Sequence, residues 1–219
     1  MSGTETVLQS IKDLSNTNLD TLVKTTSFKD ELEEAIRGHV HIELQSWFFY
    51  RKLSNDCCRS NVALHGFGTL WKRCAVECLA DANWLESYLA QRGGRSKPTA
   101  IEPPTVGWPD SPVDPVQPVH EAVKVEKKLL EDLQRLCQTA SKCGDSAVED
   151  AIQAHFLRKE TRHVKDMGDL LQQCVRVSKQ AGHGLYHLDQ ELRMSGGVVP
   201  WGGLNDPDAV TEDLYRQEC

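Results

Sequence analysis

The chain has 219 residues, a formal net charge of -7 and 39% hydrophobic residues, a composition typical of globular proteins rather than of disordered or collagen-like chains. No apolar run approaches the roughly 18 residues that a membrane span needs. The acidic balance argues against nucleic acid as a partner, because phosphate binding needs concentrated lysine and arginine. The first 16 residues have neither an apolar core nor an early basic cluster, so we expect no secretory signal and a cytoplasmic location.

Eight cysteines is a high count for a chain without a predicted signal. They form no C-x-x-C pair and no cluster with histidine, which argues against a structural zinc site. Reduced thiols in a reducing compartment are the favoured interpretation. Disulfides, including links between subunits through Cys57 or Cys58, are the alternative.

The first half of the chain predicts an arm followed by two long helices. The arm is polar with sparse apolar positions, and we expect it to be loose, with no more than one short helical turn. Ser27 and Asp30 have the spacing of a helix N-terminus. The predicted bounds are 1–27 for the arm, 29–54 for the first helix, 55–61 for a loop and 62–92 for the second helix.

A proline-rich connection follows the second helix. Residues 93–118 begin with two glycines and hold seven of the nine prolines, so a helix cannot persist there. An extended chain of this length spans about 80 Å and can run the whole length of a helix. The connection therefore need not mark a domain boundary.

The second half predicts two more long helices, a short one and a tail. Ser146 and Glu149 have the spacing of a capping box at the start of the fourth helix. The predicted bounds are 119–142 for the third helix, 146–180 for the fourth and 185–194 for the short fifth. With no convincing strand, the fold class is all-α. The predicted units are an N-terminal arm at 1–27, a four-helix bundle domain at 28–194 and a C-terminal extension at 195–219.

Each long helix carries one acid inside its apolar stripe, close to the middle of the helix. The four acids are Glu43, Asp81, Glu126 and Glu160. In a four-helix bundle the middle positions meet at one level, and four buried carboxylates cannot stay ionised together without compensation. Protonation, a paired base or a bound cation would supply it. Carboxylates of facing helices commonly hold metal ions in bundles.

The residues around Glu160 leave more than one interpretation open. His163 follows Glu160 with the Glu-x-x-His spacing of shared metal sites, although a lone histidine is more often a packing or hydrogen-bonding residue. Lys159, Arg158 and Arg162 point away from the stripe on helical spacing. The sequence therefore predicts an acid cluster that no internal lysine or arginine enters.

Several segments resemble the ferritin family, over roughly residues 27–194. Ile42–Tyr50 (IELQSWFFY) resembles the first-helix motif, and Val125–Lys128 (VEKK) resembles the third-helix segment that carries a metal carboxylate. His155–Glu160 and Lys165–Leu171 resemble the fourth helix, and Gly184–Leu192 (GLYHLDQEL) resembles the short fifth helix. The resemblance implies a ferritin-like bundle with one long crossover.

The same resemblance implies iron, as Fe²⁺ and Fe³⁺, or another divalent cation at the acid cluster. It implies an auxiliary acid at Glu77 and a supporting tyrosine at Tyr50, beside the ligands Glu43, Asp81, Glu126 and Glu160. The family's bridging glutamate and the histidine ligand three residues later are replaced by Cys78 and Asp81. We therefore expect ferroxidase activity to be degraded or absent, with residual Fe²⁺ oxidation left open.

As a ferritin relative, the chain is expected to form a cage of about 24 subunits for iron storage and homeostasis, alone or with a catalytic ferritin subunit. The resemblance places Asp150 at a channel acid of the family, and Glu149 is expected to add charge beside it. The high cysteine count, the extended tail and the altered centre also resemble artemin, which implies the alternative of a non-storing cage that acts as a protein chaperone. A secreted ferritin relative is the third interpretation, and the missing signal argues against it.

Overall fold

The computed structural model describes residues 3–15, 18–179 and 182–205, and almost all of their regular structure is helical. Within these ranges the one strand-like feature is an isolated bridge between Asp110 and Val113. None of the helices in them is long and apolar enough to cross a membrane. The elements are α1 (Gly3–Ser15), α2 (Leu19–Val23), α3 (Asp30–Cys57), α4 (His65–Gln91), α5 (Val116–Cys143), α6 (Ser146–Ile152), a π-helical turn (Gln153–Leu157), α7 (Arg158–Val177), α8 (His183–Met194) and a 3₁₀ turn (Gly202–Asn205).

Two apolar clusters fill the bundle, one towards each end. The upper cluster contains Tyr50, Trp71 and Trp108, and the lower cluster contains Phe28 and Phe156. The chain passes from the lower to the upper cluster along α3 and again from α6 to α7, whereas α4 and α5 run from the upper to the lower cluster. The four long helices therefore run up, down, down and up.

Because α4 and α5 run in the same direction, their connection must travel the length of the bundle. It follows the outer side of α3, where Gln45 exchanges two hydrogen bonds with the backbone of Glu102, at 2.6 and 3.1 Å. Nearer the upper end, the backbone N–H of Trp108 donates to Asp56 Oδ2 at 3.2 Å. The predicted full-length crossover is thus confirmed.

The N-terminal arm contains more helix than the sequence predicts, since α1 and α2 occupy most of its described residues. The four apolar residues of α1 are exposed: Val7, Leu8, Ile11 and Leu14. The predicted helix start at Ser27 is wrong, because Lys29 precedes α3 and no side chain caps it. The Ser27 hydroxyl instead donates to Asp145 Oδ2 at 2.9 Å, which ties the arm to the start of α6.

The ends of the long helices differ from the predicted bounds by a few residues, and the fourth helix differs most. It contains the π-helical turn and ends at Val177, with residues 180–181 outside the described ranges. Its predicted cap is also wrong. Asp145 caps α6 by accepting a hydrogen bond from the N–H of Val148 at 3.1 Å, and Ser146 is the first helical residue.

Replacing Asp145 by alanine is expected to lower the free energy of unfolding by about 3 kcal/mol. The buried carboxylate also accepts from Arg92 Nη2 at 2.6 Å, and its loss leaves a mostly buried guanidinium without its charged partner. Chemical denaturation measures the change. Ser146→Ala is the matched control, expected within about 0.5 kcal/mol of the parent because the residue is exposed. Equal losses in the two variants would contradict the assignment of the cap.

Candidate metal centre

The four acids predicted inside the helical stripes lie in a layer between the upper and lower clusters, which we call the acid layer. Their exposed fractions are between 1 and 7%. The four acids and the predicted auxiliary residue Glu77 line a single cavity of about 10 Å³. That volume is close to the minimum that one water molecule needs. The residues that line this cavity are Glu43, Cys74, Glu77, Cys78, Asp81, Glu126, Leu129, Glu160 and His163.

One half of the acid layer has the ligands of a cation site. His163 Nδ1 lies 3.5 Å from Glu160 Oε1 and 3.9 Å from Glu126 Oε2. One ligand atom from each of these three residues falls within 4.8 Å of the others. Glu160 Oε2 is buried and has no hydrogen-bond partner. A buried, unpaired carboxylate oxygen next to an imidazole nitrogen fits a divalent cation, which would supply the missing partner.

Protons balance the charges in this half of the layer. Burial and the charge of Glu160 raise the pKa of Glu126 above its usual value, and the buried hydroxyl of Tyr50 donates a hydrogen bond to Glu126 Oε1. Burial lowers the pKa of His163, but Glu160, Glu126 and Glu77 outweigh it and raise the pKa to about 9. Because both pKa values are raised, a cation that binds here competes with protons for Glu126 and His163.

Lys159 enters the other half of the acid layer. Its Nζ contacts Asp81 Oδ2 and lies 3.4 Å from Glu160 Oε1. Burial lowers the pKa of Lys159, but the charges of Glu160 and Asp81 outweigh it, so the ammonium stays charged. The expectation that no internal lysine enters the cluster is therefore wrong. Its long side chain bends round the helix surface to the acids, although its backbone lies beside the stripe.

Glu43 is paired within its own helix. His39 Nε2 lies 3.3 Å from Glu43 Oε1, and His39 Nδ1 shares a 2.8 Å hydrogen bond with Asp132 Oδ2. Burial lowers the pKa of His39, but Asp132 and Glu43 outweigh it and raise the pKa to about 9. Burial raises the pKa of Glu43. The sequence interpretation missed His39. The signal that could have identified it is the four-residue spacing between His39 and Glu43 on α3, which brings the two side chains together.

Two buried thiols line the acid layer on the α4 side. Cys78 stands where the resemblance implies a bridging glutamate, and Cys74 lies one turn before it. Burial raises the pKa of both thiols well above the usual value, so they are neutral packing groups in this setting. All seven cysteines in the described part of the chain are free thiols, and Cys219 lies outside it.

The two predicted channel acids are not part of the acid layer. Asp150 is exposed and Glu149 is half-buried on α6, where Gln153 Nε2 donates to Glu149 Oε1 at 3.3 Å. Ten residues separate Asp150 from Glu160, which corresponds to about 15 Å along a helix. The structure thus places these acids near the end of the bundle.

Residues 195–205 fold back over α4 and α7 beside the acid layer. Gly197 has φ 81°, and a Cβ there would lie 2.8 Å from the backbone nitrogen of Leu70. Asn205 Nδ2 donates to Asp166 Oδ1 at 2.6 Å. Together with α4 and α7 the segment borders an open cavity of about 270 Å³, which Glu126 and His163 also line. The rest of the predicted extension, residues 206–219, lies outside the described residues.

The pattern of the ferritin-like domain matches residues 33–177. The chain belongs to the ferritin family. It is 30% identical to "Ferritin-2, chloroplastic" of Vigna unguiculata over 171 residues, which cover 78% of this chain and 68% of that protein. It is 31% identical to "Ferritin-3, chloroplastic" of Arabidopsis thaliana over 167 residues, covering 75% of this chain and 63% of the relative. The chain thus spans about two thirds of the length of these relatives.

These ferritins correct the predicted location. The expectation of a cytoplasmic protein is wrong by this comparison, because the ferritins of Vigna unguiculata, Arabidopsis thaliana and Zea mays that the chain resembles are all named chloroplastic. The prediction depended on the composition of the first 16 residues. Targeting segments are separate from the packed helices, so the residues of the bundle carry no information on compartment.

Proposed function

We propose that this ferritin is an iron-storage subunit that has little or no ferroxidase activity of its own. The observation that carries this proposal is the ammonium of Lys159, which lies between Asp81 and Glu160 in the acid layer. Two-metal chemistry needs two ions about 4 Å apart. Lys159 supplies a positive charge where a second ion would need these carboxylates, and Cys78 offers no carboxylate to bridge two ions.

One Fe²⁺ ion binds in the other half of the layer, at Glu126, Glu160 and His163. Carboxylate and imidazole ligands suit Fe²⁺, and the unpaired Glu160 Oε2 gains a partner. Tyr50 holds the Glu126 carboxylate through its hydrogen bond, and burial raises the pKa of the phenol so that it stays protonated. Glu77, 4.0 Å from His163 Nε2 and half-exposed, faces the approach to this site.

Cage assembly completes the function. Membership of the family supports oligomeric assembly, and we propose about 24 subunits, formed by this chain alone or with a catalytic ferritin subunit that oxidises iron for it. The acids at the start of α6, the exposed Asp150 and the half-buried Glu149, attract cations towards the shell. Iron would then be deposited inside as ferric mineral. The artemin-like chaperone cage stays the alternative prediction.

An aerobic Fe²⁺ titration of the metal-free assembly tests the proposal. We expect slow formation of ferric absorbance and retained iron by elemental analysis, in a particle of about 24 subunits by light scattering. A fast saturable oxidation phase would contradict the loss of ferroxidase activity. A particle that retains no iron, alone or mixed with a catalytic ferritin subunit, would contradict storage and favour the chaperone alternative.

Substituting Glu126 by glutamine is expected to weaken Fe²⁺ binding under anaerobic conditions at least tenfold, because the site loses one of its two carboxylates. Calorimetry measures the affinity. Glu121→Gln is the matched control, since Glu121 is also on α5 but pairs with Lys124 at 2.8 Å at the protein surface. Asp81→Asn should leave the affinity within about threefold, because Asp81 is paired with Lys159. A greater loss of Fe²⁺ affinity in Asp81→Asn than in Glu126→Gln would contradict the proposed site, because it would place the ion beside Asp81.

A further inference from the structure

The open cavity beside the acid layer, which we call the side cavity, shares a wall with the proposed iron site. It has a volume of about 270 Å³ and is bordered by α4, α7 and residues 195–205. Glu126 and His163, two of the three proposed iron ligands, line both this cavity and the small cavity of the acid layer, as do Cys74 and Glu77. Three protein ligands leave open coordination positions on a divalent iron ion. A molecule in the side cavity is therefore within reach of the same ion.

Much of the wall of the side cavity is apolar. Leu70 comes from α4, Met167 from α7, and Val198 and Val199 from the C-terminal segment. The thioether of a methionine makes favourable contacts with aromatic rings. The volume is just below the roughly 300 Å³ at which sites for drug-sized ligands begin, so the side cavity suits a compound of about one ring.

Two arginines also line the side cavity. Arg73 is exposed on α4, and its Nε lies 3.2 Å from Glu77 Oε1. Arg162 is half-buried on α7, next to His163. A guanidinium group stacks on the faces of aromatic rings and is attracted by them. Because the carboxylates of Glu77 and Asp166 line the same cavity, a ligand with an aromatic body suits it better than a simple anion does.

The C-terminal segment that borders the side cavity is held in place by contacts at both of its ends. The backbone of Gly197 packs against that of Leu70, so closely that a Cβ on Gly197 would lie 2.8 Å from the Leu70 nitrogen. Asn205 Nδ2 donates to Asp166 Oδ1 at 2.6 Å and to Asp169 Oδ2 at 3.0 Å, which fixes the segment to α7. The cavity is thus formed in advance, which reduces the entropy cost of binding a ligand.

We propose that the side cavity binds a small aromatic ortho-diol, a molecule of the catechol class, whose two oxygens bind the ion held by Glu126, Glu160 and His163. This inference rests on the proposed iron site, since the ion forms part of the binding site of the diol. The ring packs against Met167 and the two valines, and the arginines contact its faces. Such a complex gives a small chelator direct access to iron in the subunit. A cavity that holds only water is the simpler explanation, and it predicts no saturable binding.

Anaerobic titration of the full-chain assembly with catechol tests the proposal. The protein is first loaded with one Co²⁺ per chain, which replaces Fe²⁺ because the visible absorption of Co²⁺ changes with its ligands. We expect a saturable change in this absorption at about one catechol per chain, with the cobalt retained by the protein on ultrafiltration. Metal-free protein should bind catechol at least tenfold more weakly, because the ion supplies two of the contacts.

Two variants locate the ligand within the side cavity. Val198→Trp should weaken catechol binding at least tenfold by filling the space, and should leave Co²⁺ affinity unchanged because Val198 is not a metal ligand. Val76→Trp is the matched control, since Val76 is an exposed residue of α4 that does not line the cavity. Arg162→Gln should weaken catechol binding by about three- to tenfold. Its matched control is Arg176→Gln, an exposed position further along α7.

Three results would overturn the catechol site. They are the absence of a saturable change in the parent, transfer of the cobalt from the protein to catechol in solution, and equal catechol affinities in Val198→Trp and Val76→Trp. Co²⁺ affinity without catechol is measured separately in the parent and in Glu126→Gln. Equal Co²⁺ affinities in these two proteins would overturn the iron site as well, so the two failures are distinguishable.

Discussion

Replacing Lys159 by glutamine is expected to raise the number of divalent ions bound in the acid layer from one to two per chain. The substitution removes the charge that Asp81 and Glu160 share and keeps most of the side-chain volume. Two buried carboxylates without a counter-charge are unfavourable, so they either take up protons or bind a cation. A second ion beside the one at Glu126, Glu160 and His163 would restore the pair of metals that oxidation requires.

Anaerobic titration with Fe²⁺ or Co²⁺ counts the ions, and the initial rate of ferric absorbance in air reports oxidation. Lys165→Gln is the matched control. It removes the same charge from the same helix, but Lys165 pairs with Asp169 at 2.5 Å at the surface. We expect one ion per chain in the parent and in the control. One ion in Lys159→Gln as well, with an unchanged rate, would show that the ammonium does not limit metal binding.

The metal-free Lys159→Gln protein should also be less stable than the parent, by about 3 kcal/mol, because a buried ion pair has lost one partner. Addition of a divalent ion should return much of this stability by mass action. The control should stay within about 0.5 kcal/mol, as exposed ion pairs contribute little. Thermal unfolding with and without the ion measures both effects.

The second large effect concerns His39 and the pH dependence of stability. The pKa of His39 is about 9 in the folded protein and 6.5 without its partners. The folded state therefore binds the proton more tightly, and the stabilisation is complete below pH 6.5 and lost as the pH rises through 9. From the size of this shift, the parent should lose about 3 kcal/mol relative to His39→Gln across that range.

Urea denaturation of the parent and of His39→Gln at pH 6.0, 7.5 and 9.5 measures the difference. His41→Gln is the matched control on the same helix, because His41 shares a 3.0 Å hydrogen bond with the Thr99 hydroxyl near the surface. The His39→Gln variant is compared with this control and with the parent at each pH. A constant difference between the parent and His39→Gln at all three pH values would mean that His39 is not charged between Glu43 and Asp132.

The positions of the four stripe acids could be predicted because helical periodicity fixes which residues face inwards. Glu43, Asp81, Glu126 and Glu160 are all buried where the pattern puts them. The pattern describes the direction of the backbone and says little about long side chains. Lys159 reaches the layer by bending, so its role could be found only once α4 and α7 were packed together.

The predicted caps failed for a related reason. The patterns at Ser27 and Ser146 depend only on neighbouring residues in the sequence. Asp145 caps α6 and also accepts hydrogen bonds from Arg92 and Ser27, which come from other parts of the chain. The π-helical turn was missed as well, because its sequence contains no glycine or proline. In that turn His155 stacks on Trp84 at 4.5 Å, and Phe156 packs against the same ring. These are contacts between distant segments, and a local pattern does not report them.

The division of the apolar core into an upper and a lower cluster bears on how this family can diversify. Each cluster packs its own aromatic residues, so the helices are held together at both ends whatever occupies the middle. Mutations in the acid layer can then change charge and ligand type without disrupting the packing on either side. This chain carries a thiol, Cys78, in that layer, and Lys159 reaches into it. Substitutions in the acid layer can therefore change, remove or restore metal binding, while the two apolar clusters keep the bundle and its outer surface intact.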